Sequence, residues 1–292
     1  MAAWGERASV WTVSAAPVGV GFGIWVGLVA TSQYREADLW PVWAVLALGL
    51  TCGAGVVFAV GAQQWRGLPE GERRSRREAA VVAGAVALVA VLYAVAVAST
   101  DDRPGAWRGP LLVGTALLGA TPMVCVAHSI WKAAGTDRSA TAAGELLEWL
   151  LARRRTMRAA VTGLGALVAL STLALGAVVR MQAELVKAHT MASADATPFE
   201  YVLVFGGVGT LNVAITYAPA AIGLRRQAHL LAERLFPLTG TDEPTQLLER
   251  AEQRARFEQL LGAEAGPFAD LQAGIVVLTP LLASAVAVWL PH

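Results

Sequence analysis

WPVWAVLALGLTCGAGVVFAVGA, residues 40–62, runs without an Asp, Glu, Lys or Arg from end to end. At a helical rise of 1.5 Å per residue such a stretch spans roughly 34 Å, enough to cross the ~30 Å hydrocarbon core of a bilayer. A single run of this kind fits inside a large soluble core, but this chain repeats it. Reading for charge-free runs predicts seven helices, at about 10–30, 40–62, 79–98, 109–131, 157–179, 201–223 and 271–290. The expected fold is all-α: a single polytopic transmembrane helical bundle over 1–292.

Composition agrees. Of 292 residues 55% are apolar and 15% charged, against roughly 45–50% and 25% in an average soluble domain. The net charge of +1 supplies no field suited to nucleic acid, and none is expected as a partner. The basic residues are almost all arginine, which with the alanine content points to a GC-rich bacterial genome. Cys52 and Cys125 lie within apolar runs and have neither the number nor the spacing of a disulfide framework or CxxC site. The first run is longer than the ~7–15 residues of a signal-peptide core and reads as a retained span.

Basic residues between the runs set the expected orientation. The tail, the 63–78 loop, the 132–156 loop with Arg158, and the 224–270 loop hold one, five, six and six. The opposite side holds one, two and two. The positive-inside rule then places the amino terminus in the cytoplasm and the carboxyl terminus outside, in a multi-pass protein of the cytoplasmic (inner) membrane. Tryptophans agree: Trp40, Trp43, Trp107 and Trp289 fall at outer ends, and Trp11, Trp65 and Trp131 at inner ends, with Trp25 inside a span.

Two cytoplasmic stretches read as helices. Residues 141–152 (TAAGELLEWLLA), followed by Arg153, Arg154 and Arg155, predict an interfacial helix leading into the fifth span. In the 224–270 loop, residues 244–261 predict an amphipathic helix beginning after Thr241 and Asp242, with Pro244 in the first turn and a stop at Gly262. Its expected face is Leu247, Ala251, Ala255, Phe257 and Leu261, placed to meet the bundle or a protein partner.

Small residues recur every fourth position at Gly19, Gly23 and Gly27 and at Gly49 and Gly53. That spacing marks helix packing, within the monomer or at the seam of a homo-oligomer. Polar residues at mid-depth are more informative, because hydrocarbon penalises an unpartnered polar group. Thr121, Cys125 and His128 form a stripe with Lys132 on the fourth span. Asn212 and Thr216 share one face of the sixth, with Thr210 and Tyr217 nearly opposite, and Gln272 and Thr279 share one face of the seventh. These are the candidate path or polar-core residues. Pro122, Pro219 and Pro280 are candidate hinges, and two of them sit in Thr-Pro pairs that end three-helix units of opposite topology. Arg73, Arg74, Arg76 and Arg77 are expected to contact anionic lipid headgroups of the bilayer.

Searches for chemistry find no GxxxxGK[ST], HExxH or GxSxG, and Asp101-Asp102 reads as turn geometry in TDDRPG. A single intramembrane histidine, His128, does not provide bis-His haem ligation. No cofactor or metal is expected, and an enzyme is the weaker expectation. The leading reading is a transporter- or channel-like bundle with a mid-membrane polar path. The alternative is a non-transporting scaffold, assembly or signalling subunit that binds a protein partner through its cytoplasmic helices.

Overall fold

The computed structural model describes residues 2–30, 35, 37–72, 78, 81, 84, 85, 88, 107–192, 196–238 and 243–261. Among these the chain is helical and without strands. The helices are α1 (Ala2–Ala30), α2 (Trp40–Arg66), α3 (Arg108–Ala134), α4 (Ala143–Lys187), α5 (Glu200–Leu235) and α6 (Pro244–Leu260). Helices α2 to α5 are each long and apolar enough to cross a membrane, and the apolar part of α1 is Ala15–Ala30. The expected spans at 79–98, apart from a few helical positions, and at 271–290 lie outside the described residues.

Helix α2 is central, packing against α1, α3 and α4, while α5 packs against α3, α4 and α6. Close approaches give the directions. A Cβ on Gly21 would run into the Thr51 backbone, and one on Gly55 would lie 2.5 Å from the Pro17 carbonyl oxygen, so α1 and α2 are antiparallel. Along α3, Gly119 meets the Ala54 backbone and Met123 meets Gly61, so α2 and α3 run parallel. Gly206 and Gly209 pack on Thr172 and Val168, making α4 and α5 antiparallel. The start of α1, the ends of α2, α3 and α5 and the start of α4 therefore share one end, where arginine is concentrated; we call it the basic end.

The fourth and fifth helices correct the expected boundaries. The interfacial helix at 141–152 and the span at 157–179 are one continuous helix of 45 residues, roughly 67 Å long and more than twice the hydrocarbon thickness. Ala143 to Gly163 contains Leu, Glu, Ala and Arg, all strong helix formers, and no proline or internal glycine after Gly144. Arginines end an apolar stretch, but they do not end a helix. Helix α5 likewise continues past residue 223 to Leu235. Both project about 18–21 Å beyond their charge-poor sections at the basic end.

Two cores follow from this layout. One joins α1, α2, α3 and α4 around Leu28, Ala47, Leu50, Met123 and Met181. The other joins α3, α4, α5 and Leu261 at the basic end around Val126, Ile130, Met157, Ala220 and Leu231.

Candidate functional site

The polar residues at mid-depth turn back on their own helices. Thr121 Oγ1 donates to the Leu117 carbonyl at 2.9 Å, Thr210 Oγ1 to Gly206 at 2.9 Å and Thr216 Oγ1 to Asn212 at 2.8 Å. Ser171 and Thr172 do the same to Leu167 and Val168. Such back-bonds satisfy a hydroxyl in hydrocarbon without a partner helix or water. Cys125 is buried, His128 is half-buried with its ring edge-on to Trp131 at 5.4 Å, and Tyr217 belongs to the core of the basic end. Asn212 is exposed beside Leu211 and Ile215 on the outward face of α5. The structure thus turns Tyr217 inward and Asn212 outward rather than gathering them. Gln272, Thr279 and Pro280 lie outside the described residues, as do Arg73, Arg74, Arg76 and Arg77.

Helices α3 and α5 run unbroken through Pro122 and Pro219. Pro122 sits instead at a tight crossing, its Cβ 2.9 Å from where a Cβ on Gly61 would stand. The glycine stripes divide. Gly49 and Gly53 receive the Leu170 side chain of α4, whereas a Cβ on Gly19, Gly23 or Gly27 would have no described atom within 4 Å. The seam between α1 and α2 runs through Pro17 and Gly21 instead, on nearly the opposite side of α1 from the Gly19 stripe.

The densest polar construction is at the basic end, and its centre is Glu72. Its Oε1 accepts from Arg138 Nη2 at 3.0 Å and from the Trp149 indole N–H at 2.6 Å, while its Oε2 accepts from Arg153 Nε at 3.0 Å. The carboxylate side chain is only 11% exposed. Arg138 also lies over the Trp149 ring, 4.0 Å from its centroid, adding a cation–π contact. Loop 67–72, the α3–α4 connection and the start of α4 are thereby tied at one point. Nothing local in the sequence singles out Glu72, because its partners are 66 to 81 residues away.

The same connection is held from the other side by α5. Gln227 Nε2 donates to the carbonyls of Ala134 and Thr136 at 2.8 and 3.2 Å, satisfying the end of α3. Arg234 Nη1 donates to the carbonyls of Ser139 and Thr141. Within the loop, Asp137 accepts the Ser139 N–H at 2.9 Å, and that bond and the Ser139 hydroxyl hold its carboxyl below the usual range.

Helix α6 is docked on α5 by part of the expected apolar face, with Leu247 half-buried. Phe257 packs edge-on to Phe236 at 5.7 Å and Leu261 is buried, but Ala251 and Ala255 are exposed. The contact face includes Arg250, which donates to the Pro237 carbonyl, and Glu258, which pairs with Arg254 at 2.9 Å and His229 at 3.2 Å. Burial pushes the Glu258 carboxyl upward, but hydrogen bonds from Arg254 and His229 and their charges outweigh it and hold it below the usual carboxylate range. The helix starts at Pro244, with Glu243 as its first flanking residue. Thr241, Asp242 and Gly262 lie outside the described residues.

Between α4 and α5 a narrow crevice with about 30 Å³ of free space, partly open to the surroundings, is lined by Leu150, Arg154, Met157, Tyr217, Leu224 and Arg225, among others. It lies at the basic end, not at mid-depth. Among the described residues there is no cluster of His, Cys, Asp and Glu able to hold a metal ion. No protein-family model matches the chain, and no curated protein or solved structure does.

Proposed function

We propose that this chain is a non-transporting integral membrane subunit whose basic end is a rigid cytoplasmic platform for a protein partner. The observation that carries this reading is the bracing of that end around Glu72, together with the extension of α4 and α5 beyond their apolar sections. A scaffold needs a fixed surface outside the bilayer, and here two projecting helices are tied to the α3–α4 connection by seven side-chain bonds from Arg138, Trp149, Arg153, Gln227 and Arg234. Helix α6 adds an outer face on which Leu248 is 65% exposed and charges of both signs flank it. A partner helix laid along that face would bury Leu248 and pair with Glu249, Glu252 or Arg256. The hydroxyls that a polar path would employ are engaged with their own carbonyls.

The test is site-specific photo-crosslinking in cells from positions 248 and 252, with position 211 as a membrane-facing control. Capture of one defined protein from 248 and 252, lost when 244–261 is deleted while the remaining bundle keeps its thermal transition, supports the platform. The opposing result is no such capture together with water-soluble thiol reagents reaching T121C, in a background lacking Cys52 and Cys125, which would favour a hydrated path.

A further inference from the structure

Of the helices long and apolar enough to cross a membrane, α5 is the least enclosed. In its most apolar stretch 11% of residues are buried, against 33–50% in α2, α3 and α4. Tyr201, Val208, Ile215 and Ile222 recur every seven residues along it, and each is more than half exposed. At 100° per residue the four lie within about 60° of one another. A strict seven-residue row stays on one side of a helix that winds gently about a partner. Lipid alone can also cover such a row.

What lipid does not satisfy is Asn212. It stands on the same face, four residues after Val208 and three before Ile215, at the midpoint of the charge-free section 201–224, roughly 17 Å from either end. The hydroxyls of Thr121, Thr210 and Thr216 close on carbonyls of their own helices. The Asn212 carboxamide is exposed and has no hydrogen-bond partner among the described residues. It offers two N–H donors and an acceptor oxygen, and hydrocarbon answers none of them. The exposed glycine row of α1 makes no such demand: the only polar side chain in Ala15–Ala30 is Trp25, whose indole N–H donates to the Ala44 carbonyl.

A second copy of the chain supplies the missing group. Copies of one chain enter a membrane the same way round, so a twofold axis relating them runs along the membrane normal and sets two α5 helices parallel. Residues beside the axis then meet their own counterparts at the same depth. A carboxamide is donor and acceptor at once, so one Asn212 satisfies another. The spacing Val208, Asn212, Ile215 also makes this asparagine a single polar position within an apolar seam, the arrangement that fixes register and partner number in paired helices.

We propose that the outward face of α5 is the seam of a parallel homodimer, closed at mid-membrane by hydrogen bonding between the Asn212 side chains of the two copies. This is independent of the platform reading: it concerns α5 within the apolar layer, where a crosslink joins two copies of the chain rather than a different protein.

The full chain in membrane vesicles, with Cys52 and Cys125 replaced by alanine, receives one new cysteine at a time and is oxidised with copper phenanthroline. V208C and I215C are expected to give a disulfide-linked product of two chains. L203C, exposed on α5 but about 140° from Val208, and G23C on the α1 row are expected not to. In liposomes, energy transfer between labelled copies diluted with lipid reads dissociation: N212V should weaken pairing roughly 5–30-fold, and N212Q, which keeps the carboxamide, should retain most of it. Equal linkage from L203C or G23C, disulfides to other proteins in place of the two-chain product, or N212V dimers as tight as those of the unmodified chain overturn the proposal. So does a disulfide that V208C forms instead with a cysteine placed within 271–290 of the same chain, which assigns the face to that run. Should N212V not fold, the linkage pattern of V208C, I215C and L203C decides alone.

Discussion

The indole of Trp149 donates to the carboxylate of Glu72 at 2.6 Å across a sequence separation of 77 residues. This bond joins the end of one helical section to the beginning of another, and the guanidinium of Arg138 closes over the same ring. A carboxylate at this depth costs solvation, and three donors compensate for it. It is stable as an ensemble and fragile to the loss of any member.

Replacing Glu72 by Ala leaves two arginines facing each other without their shared anion. E72A is expected to lose about 2–4 kcal/mol of stability, and W149F about 1–2 kcal/mol. Denaturant unfolding in micelles measures both, and the double variant E72A/W149F should lose clearly less than the sum because the two residues act on one bond.

Glycines of the first two helices should behave differently according to what they face. G55A places a methyl 2.5 Å from the Pro17 carbonyl and is expected to lose about 1–3 kcal/mol as α1 shifts away. G19A, G23A and G27A meet no described atom and should change stability by no more than about 0.5–1 kcal/mol, the helix-propensity term. Thermal transitions of the four variants, compared side by side, decide this.

Acid should loosen α6. The Glu258 carboxyl is lowered in the folded protein, so its pairing with Arg254 contributes fully above the ordinary carboxylate range and is lost as pH falls through and below that range. The partners are part-exposed, so the contribution is small, on the order of 0.5 kcal/mol. Spin labels at positions 233 and 252, in a chain without native cysteines, should show a distance distribution that broadens as pH falls below the ordinary carboxylate range. E258Q should be broadened already at neutral pH and respond less to acid.

Helix α4 ends with His189 in the left-handed region at φ 56°. Two amides beyond it, those of Thr190 and Met191, return to the Leu185 carbonyl, a helix end that favours glycine at the left-handed position. H189G is therefore expected to raise stability by about 0.5–1 kcal/mol, readable as a higher thermal transition.

Hydropathy reads where apolar surface begins and ends, and the cores of α2 to α5 were legible on that basis. It says nothing about where a helix stops once it leaves the apolar layer, so Arg153 to Arg155 mimicked a boundary that Leu, Glu and Ala on either side override. Spacing alone gave Gly19, Gly23 and Gly27 a stripe but not an azimuth; only the position of α2 makes Gly21 the contact. Arg154 and Arg225 stand in the sequence as ordinary charges at the ends of two spans. What distinguishes them is that antiparallel packing brings both to the same crevice, a relation no local pattern encodes.

An unbroken helix that starts outside the apolar layer and continues through it acts mechanically as a lever. The projecting section of α4 extends roughly 20 Å, so a tilt of a few degrees within the apolar section moves its tip by one to two ångströms, on the order of a side-chain packing shift at a helix interface. Glu72 sets the fulcrum by holding Trp149 and Arg153 of that rod against the preceding loop. Any molecule that grips the tip is thereby connected, through one rigid element, to the far side of the bundle.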